Sequence, residues 1–393
     1  METKRDIDSF NDYFWRGICA EREGNLPASA AVFQEGLEKA RRDKDRHYEN
    51  VFLNELEIRG RAIELRSKPR ALHVMLTSRC NLRCPFCYVD HKAADLPDCV
   101  CRDIVSLYPY LQQITWQGGE SFLHPAFYDL MRLSAQYPYL KHTILTNGTL
   151  IDGRWMTVLN VLNRVKLVIS LESADPAQYS YFRRGAKLSQ LTALLDRVLN
   201  EKKNGKGDIE LSLNIIVVKS NMAHMDAIGD FVVRYGFNDV IFTQLYGCDE
   251  KFYREEYIDP RSLTGGSANP LMSIKEKLAN NKVRYEDRFT VAAAGVPIEN
   301  RNNAGKPRAA TPVEMLCRAP WQQLYIHGNG LVKNYCHCLD DNAAGNALYD
   351  SLEELWNNGS MRALRSGLLA GDLKQCNKLC VTGVIDRSNF RIT

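Results

Sequence analysis

Two features that often mark membrane or nucleic-acid partners are missing from this sequence. No apolar run reaches the roughly 18 residues that signal a membrane-spanning helix, and Lys and Arg (51) nearly balance Asp and Glu (47) for a net charge of +4. So small an imbalance on 393 residues gives no reason to expect nucleic acid or an anionic surface as partner. The first residues, METKRDIDSF, carry charge but no apolar h-region, so no signal peptide is expected and the chain reads as cytoplasmic. A disulfide framework is not expected in that compartment. Twelve cysteines therefore point to metal ligands or reactive thiols.

Length suggests about two to three domains. Residues 1–70 read as a helical module, with Phe10, Tyr13, Gly17 and Ala20 at helical spacing before a break at Gly24-Asn25. A second helix follows from Pro27, and Tyr48, Phe52, Leu56 and Ile63 predict a third. The spacing is weakly similar to a tetratricopeptide repeat, but a short helical cap explains it more simply. Fourteen basic and fourteen acidic residues there imply no electrostatic partner.

From Ala71 short apolar runs alternate with amphipathic stretches. The runs cover 71–76, 112–116, 142–146, 165–171, 210–218 and 239–245. This alternation predicts parallel βα units with right-handed crossovers. The expected fold is α/β, a six-unit partial (β/α) barrel, over 71–291. Residues 292–316 read as a linker and 317–393 as a small cysteine-rich domain. Sites in such sheets lie at the C-terminal strand ends. There the sequence places Cys80, Cys84 and Cys87, then Gly118-Gly119-Glu120, then Thr146-Asn147-Gly148, then Glu172.

Three cysteines with gaps of three and two residues are one short of a closed zinc site, which Cys99 or Cys101 would have to complete. An iron–sulfur cluster on three thiolates instead leaves one iron open. The cysteine spacing after the first strand, Phe86 before the last cysteine, and the Gly-Gly-Glu element after the second strand together resemble the radical S-adenosylmethionine (SAM) superfamily. The resemblance implies that Cys80, Cys84 and Cys87 hold a [4Fe–4S] cluster whose open iron is chelated by SAM, and that Gly118, Gly119 and Glu120 receive the methionine amine. It further implies cofactor contacts from Phe86, Asn147, Ser170, Glu172 and Arg184, with Arg183 an alternative to Arg184. The implied chemistry is reductive cleavage of SAM to a 5′-deoxyadenosyl radical that abstracts hydrogen from a substrate carbon. Cys248, beyond the sixth run, is a candidate thiol for returning a hydrogen atom to a substrate radical, or else a packed small residue. Cys99 and Cys101 read as core or surface thiols, and Cys19 as a packed helix residue.

The C-terminal cysteines, Cys317, Cys336, Cys338, Cys376 and Cys380, resemble the SPASM/twitch extension of radical enzymes. Five thiols where a full SPASM domain has seven imply one auxiliary [4Fe–4S] cluster. Cys317, Cys336, Cys376 and Cys380 fit the order best, Cys338 can replace Cys336, and zinc is the alternative. The architecture implies an enzyme acting on a peptide or protein by cross-linking, oxidation or epimerisation. An oxidoreductase or epimerase of a sugar or other small metabolite is the alternative. An external low-potential electron donor such as flavodoxin or ferredoxin is implied, and no nucleic-acid or membrane partner is expected.

Overall fold

Each of the six apolar runs forms a strand: β1 (Ala71–Thr77), β2 (Gln113–Gly118), β3 (Lys141–Thr146), β4 (Val165–Ser170), β5 (Ile209–Val217) and β6 (Asp239–Gln244). The computed structural model describes residues 4–91, 95–263, 269–289, 317–334 and 343–372. The expected linker, 292–316, lies outside them.

The chain forms two compact units. One takes in Val74–Leu96 and Thr115–Pro297, the other Met1–His73, Pro97–Ile114 and Ile298–Thr393. In the first, the strands lie side by side in chain order, and a short β7 (Arg284–Asp287) that the sequence pattern did not announce follows β6. The pairs β3–β4, β4–β5, β5–β6 and β6–β7 are parallel. Strands covered on both faces need apolar residues at consecutive positions. Leu167, Val168 and Ile169 of β4 are accordingly all buried. Helices follow the strands: α5 (Phe127–Ser134), α6 (Gly153–Leu159), α7 (Pro176–Phe182), α8 (Leu188–Lys203), α9 (Met225–Arg234), α10 (Glu250–Glu256) and α11 (Pro270–Asn280), while α4 (Asp98–Leu107) belongs to the other unit. This is the expected partial (β/α) barrel.

The second unit begins with α1 (Lys4–Arg22), α2 (Leu26–Asp43) and α3 (Arg46–Arg59). Asn25 and Asp45 cap α2 and α3 by accepting the N–H groups of Ala28 and Tyr48. The third helix stops at Arg59 rather than reaching Ile63, which is exposed. The three helices close over Phe10, Phe14, Phe33, Leu37, Tyr48 and Phe52. The C-terminal elements of this unit are α12 (Ala319–Gln322), the antiparallel strands β8 (Gln323–Ile326), β9 (Leu331–Lys333) and β10 (Gly345–Asn346), α13 (Leu352–Trp356) and α14 (Gly359–Leu369).

Hydrogen bonds join those C-terminal elements to the N-terminal helices. Asn54 Nδ2 donates to the Trp321 carbonyl (2.6 Å) and Trp321 Nε1 to that of Ala62 (2.7 Å). Trp356 Nε1 donates to the Ser67 carbonyl at 2.7 Å. A buried ionic group accompanies them: Glu55 pairs with Arg59 at 2.6 Å and with Arg70, while Arg318 reaches Glu21 at 2.5 Å.

Candidate active site

The site is built where the end of β2 closes on the loop that follows β1. The Gly119 N–H donates to the Thr77 carbonyl and the Glu120 N–H to that of Arg79, both at 2.8 Å. The two backbones approach so closely that side chains are excluded. A Cβ on Gly118, whose φ is +117°, would lie 2.6 Å from the Thr77 oxygen, and one on Gly119 2.1 Å from the Arg79 oxygen. The paired glycines are thus a steric requirement of this junction. Arg79 anchors the loop further, donating to both Asp95 oxygens (2.9 and 2.6 Å) and to the Leu123 carbonyl (2.8 Å).

Glu120 is fully buried. Its Oε1 accepts from Thr146 Oγ1 (2.9 Å) and its Oε2 from the Asn147 N–H (3.0 Å), so the carboxylate ties the end of β2 to the end of β3. Burial pushes this carboxyl up to about 7, against the pull of those donors. Asn147 passes the connection on, its Nδ2 donating to Asn81 Oδ1 at 3.0 Å and lying 4.0 Å from Cys80 Sγ. Thr146-Asn147-Gly148 and Gly118-Gly119-Glu120 therefore hold the first cysteine of the loop from two strands.

Cys84 is held from a third direction. Glu172, just past β4, is buried and accepts from Arg183 Nη2 at 2.6 Å. Arg183 Nη1 lies 3.6 Å from Cys84 Sγ, and the guanidinium stands 4.9 Å from the Phe86 ring centroid. Arg184 points elsewhere. Its side chain is exposed beside Tyr181, and only its carbonyl serves the loop, accepting the Arg83 N–H at 2.9 Å. Ser170, the last residue of β4, is partly buried. Phe86 is buried in an apolar group with Phe182, Val218, Leu245 and Phe252.

Cys248 packs, half-buried, on the rim of that same apolar group together with Cys84, Tyr253 and Tyr257. The two tyrosine rings stack at 4.7 Å, and Gln244 Nε2 donates to Tyr257 Oη at 2.8 Å. This tyrosine pair was not singled out from sequence, although its i, i+4 spacing behind Cys248 was available as a signal.

The three loop thiols are free, half-buried, and close enough to perturb one another: Cys84 and Cys87 both raise Cys80. Burial pushes the Cys80 thiol up to about 11 and Cys84 upward too. Such thiols become thiolates when a bound metal supplies positive charge. Among the described residues no three His, Cys, Asp or Glu side chains gather around a single-ion position. The donor set, three thiols on one loop flanked by a cation at Cys84, fits an iron–sulfur cluster by its chemistry. Cys317 is partly buried in the other unit, while Cys336, Cys338, Cys376 and Cys380 lie outside the described residues.

Comparison with known proteins agrees in both parts of the chain. Residues 74–232 match the Radical SAM superfamily, and residues 317–381 match SPASM, an iron–sulfur cluster-binding domain. Among curated proteins, the GTP 3′,8-cyclase of Chlorobaculum tepidum is 28% identical over 33% of this chain and 40% of its own length. The tungsten-containing aldehyde ferredoxin oxidoreductase cofactor-modifying protein of Pyrococcus furiosus is 26% identical over 44% of this chain and 51% of its own. This chain thus spans about half the length of the curated relatives it matches. Among solved structures, Streptococcus suis SuiB superposes with a TM-score of 0.61 at 16% identity, covering 90% of this chain and 85% of SuiB. The anSMEcpe structure with bound AdoMet gives 0.55 at 19% identity, covering 81% of this chain and 86% of that one.

Proposed function

We propose, from the premise that this chain is a radical SAM iron–sulfur enzyme with a SPASM domain, that it modifies a peptide or protein substrate. A radical SAM domain implies a [4Fe–4S] cluster and SAM, and a SPASM domain implies auxiliary iron–sulfur binding. Bound together, cluster and SAM supply a 5′-deoxyadenosyl radical able to abstract hydrogen from a carbon.

The chain's own part is to hold and to shield. Cys80, Cys84 and Cys87 are the proposed cluster ligands, leaving one coordination position for SAM. The backbone at Gly118 and Gly119 packs directly on the loop backbone, and Glu120 and Asn147 fix the loop's first cysteine. Phe86 and its apolar neighbours keep water away from the Cys84 side, which protects a radical from stray quenchers. Cys248 is the proposed hydrogen donor if the outcome is epimerisation. We place the protein in the cytoplasm with a flavodoxin or ferredoxin as electron donor. No described helix is long and apolar enough to cross a membrane.

The observation that carries the peptide reading is the extent of structural likeness. SuiB, whose superposition covers 90% of this chain, also has a structure bound to precursor peptide SuiA, and anSMEcpe has one with the Kp18Cys peptide. A small-molecule reading draws on the sequence matches to proteins named GTP 3′,8-cyclase. The deciding experiment incubates the anaerobically reconstituted enzyme with SAM, dithionite and synthetic peptides encoded beside its gene. A peptide mass change, or deuterium uptake from D2O at one residue, supports the peptide reading. SAM cleavage stimulated only by nucleotides or sugars overturns it.

A further inference from the structure

Behind the cysteine loop, three buried polar atoms have no side-chain hydrogen-bond partner among the described residues: Glu172 Oε2, Arg183 Nε and Tyr179 Oη. All three belong to one buried group around Cys84, since Tyr179 feels the charges of Arg183, Glu172 and Cys84. A native structure seldom leaves so many buried polar atoms unpaired in one place without a functional reason.

We propose that Arg183 is a positioning residue for Cys84, fixing its sulfur and setting the reduction potential of a cluster held by Cys80, Cys84 and Cys87. The inference rests on the reading of those three cysteines as ligands. Arg183 is pinned on two sides, by Glu172 at 2.6 Å and by the Phe86 ring at 4.9 Å, so its third side presents Nη1 to Cys84 Sγ at 3.6 Å. The Arg183 side chain is 9% exposed and that of Glu172 0%, so solvent screens neither charge effectively. Hydrogen bonds to cluster sulfurs and nearby charge are among the protein's levers on cluster potential. A cation stabilises the reduced, more negative cluster, and an anion disfavours it. Arg183 and Glu172 therefore act on the potential with opposite signs, the arginine being nearer the sulfur. Arginine's planar N–H groups meet carboxylate and sulfur together, while a lysine at the same place keeps the positive charge that acts on the potential.

The test measures the reduction potential of the reconstituted protein by EPR-monitored titration without SAM, following the signal that changes when SAM is later added. Iron and sulfide are counted on the same samples. Arg183→Gln should lower the ratio of reduced to oxidised cluster about tenfold at fixed solution potential, about 59 mV for one electron. Glu172→Gln should shift it the other way, and Arg183→Lys should restore most of the wild-type value. If Arg183→Gln does not retain iron, the other two variants decide. A positive shift in Glu172→Gln with a near-normal value in Arg183→Lys supports the assignment. Potentials unchanged in variants that hold their full iron, or shifts of one sign for both charges, overturn it. Failure of the underlying reading looks different: Cys84→Ala would then keep the SAM-sensitive signal.

Discussion

Glu120 Oε2 accepts the backbone N–H of Asn147 at 3.0 Å, so a carboxylate at the end of β2 fixes the strand end that reaches Cys80. Glu120→Ala leaves that N–H and the Thr146 hydroxyl without a buried acceptor, at a cost of about 1–3 kcal/mol for each. We expect a lowered Tm and reduced iron retention on the loop, with Glu120→Gln, which keeps one acceptor, intermediate in both. Equal iron content in wild type and Glu120→Ala would show that the β2–β3 tie does not serve the loop.

Gly119→Ala tests the close approach. Its Cβ would meet the Arg79 carbonyl at 2.1 Å, backbone that can yield only by moving the cysteine loop. Iron retention should fall strongly while circular dichroism stays near wild type. Gly153→Ala is the matched control, because no atom of the described residues lies within 4 Å of its Cβ. It should be neutral or slightly stabilising, as alanine is favoured over glycine in a helix. Similar losses in both variants would refute the steric account.

Much of this arrangement was legible in the sequence. The six strand runs, the cysteine loop and the paired glycines each carry local signals, through periodicity, spacing and small residues at strand ends. Which of Arg183 and Arg184 turns toward Cys84 had no such signal, because the two are adjacent and carry the same charge. What decides it is the end of α7 at Phe182 and the turn through Gly185, whose φ is +102°. Together these turn Arg183 inward to Glu172 and leave Arg184 outside. The union of the N-terminal helices with the C-terminal strands was equally silent, since its bonds join residues as distant as Asn54 and Trp321. The short α7 itself was missed even though Asp175-Pro176, an N-cap followed by proline, announces it.

Glu55 organises the buried ionic group of the helical unit. Burial alone would raise its carboxyl, but Arg70, Arg59 and Arg318 outweigh that and hold it at about 2. Glu55→Gln leaves Arg70, 0% exposed, without its anion. Removing one partner of a buried pair costs about 3–5 kcal/mol. We expect a large fall in the Tm of the metal-free protein, partly relieved in the double variant Glu55→Gln/Arg70→Met. No change in Tm would contradict the assignment of this pair to the core.

His142 gives the molecule an acid-sensitive point. Its Nδ1 accepts from Trp116 Nε1 at 3.0 Å, which requires the neutral ring, and burial pulls its pKa down from 6.5 to about 3. The folded value lies below the unfolded one. The stability this group contributes is therefore present above pH 6.5 and is lost as the pH falls toward 3. Each pH unit in that window costs about 1.4 kcal/mol per group. Urea unfolding of metal-free His142→Gln between pH 6 and 4 should show a slope shallower by about that amount, and an unchanged slope would contradict it.

Cys84 is the proposed ligand whose loss bears most directly on SAM cleavage. The measurement is 5′-deoxyadenosine formation by anaerobically reconstituted wild type and Cys84→Ala, with SAM and dithionite, alongside iron counts. The wild type should form 5′-deoxyadenosine, and Cys84→Ala should form none and lose about four irons per chain, as removal of one [4Fe–4S] cluster requires. Undiminished 5′-deoxyadenosine from Cys84→Ala would contradict the account.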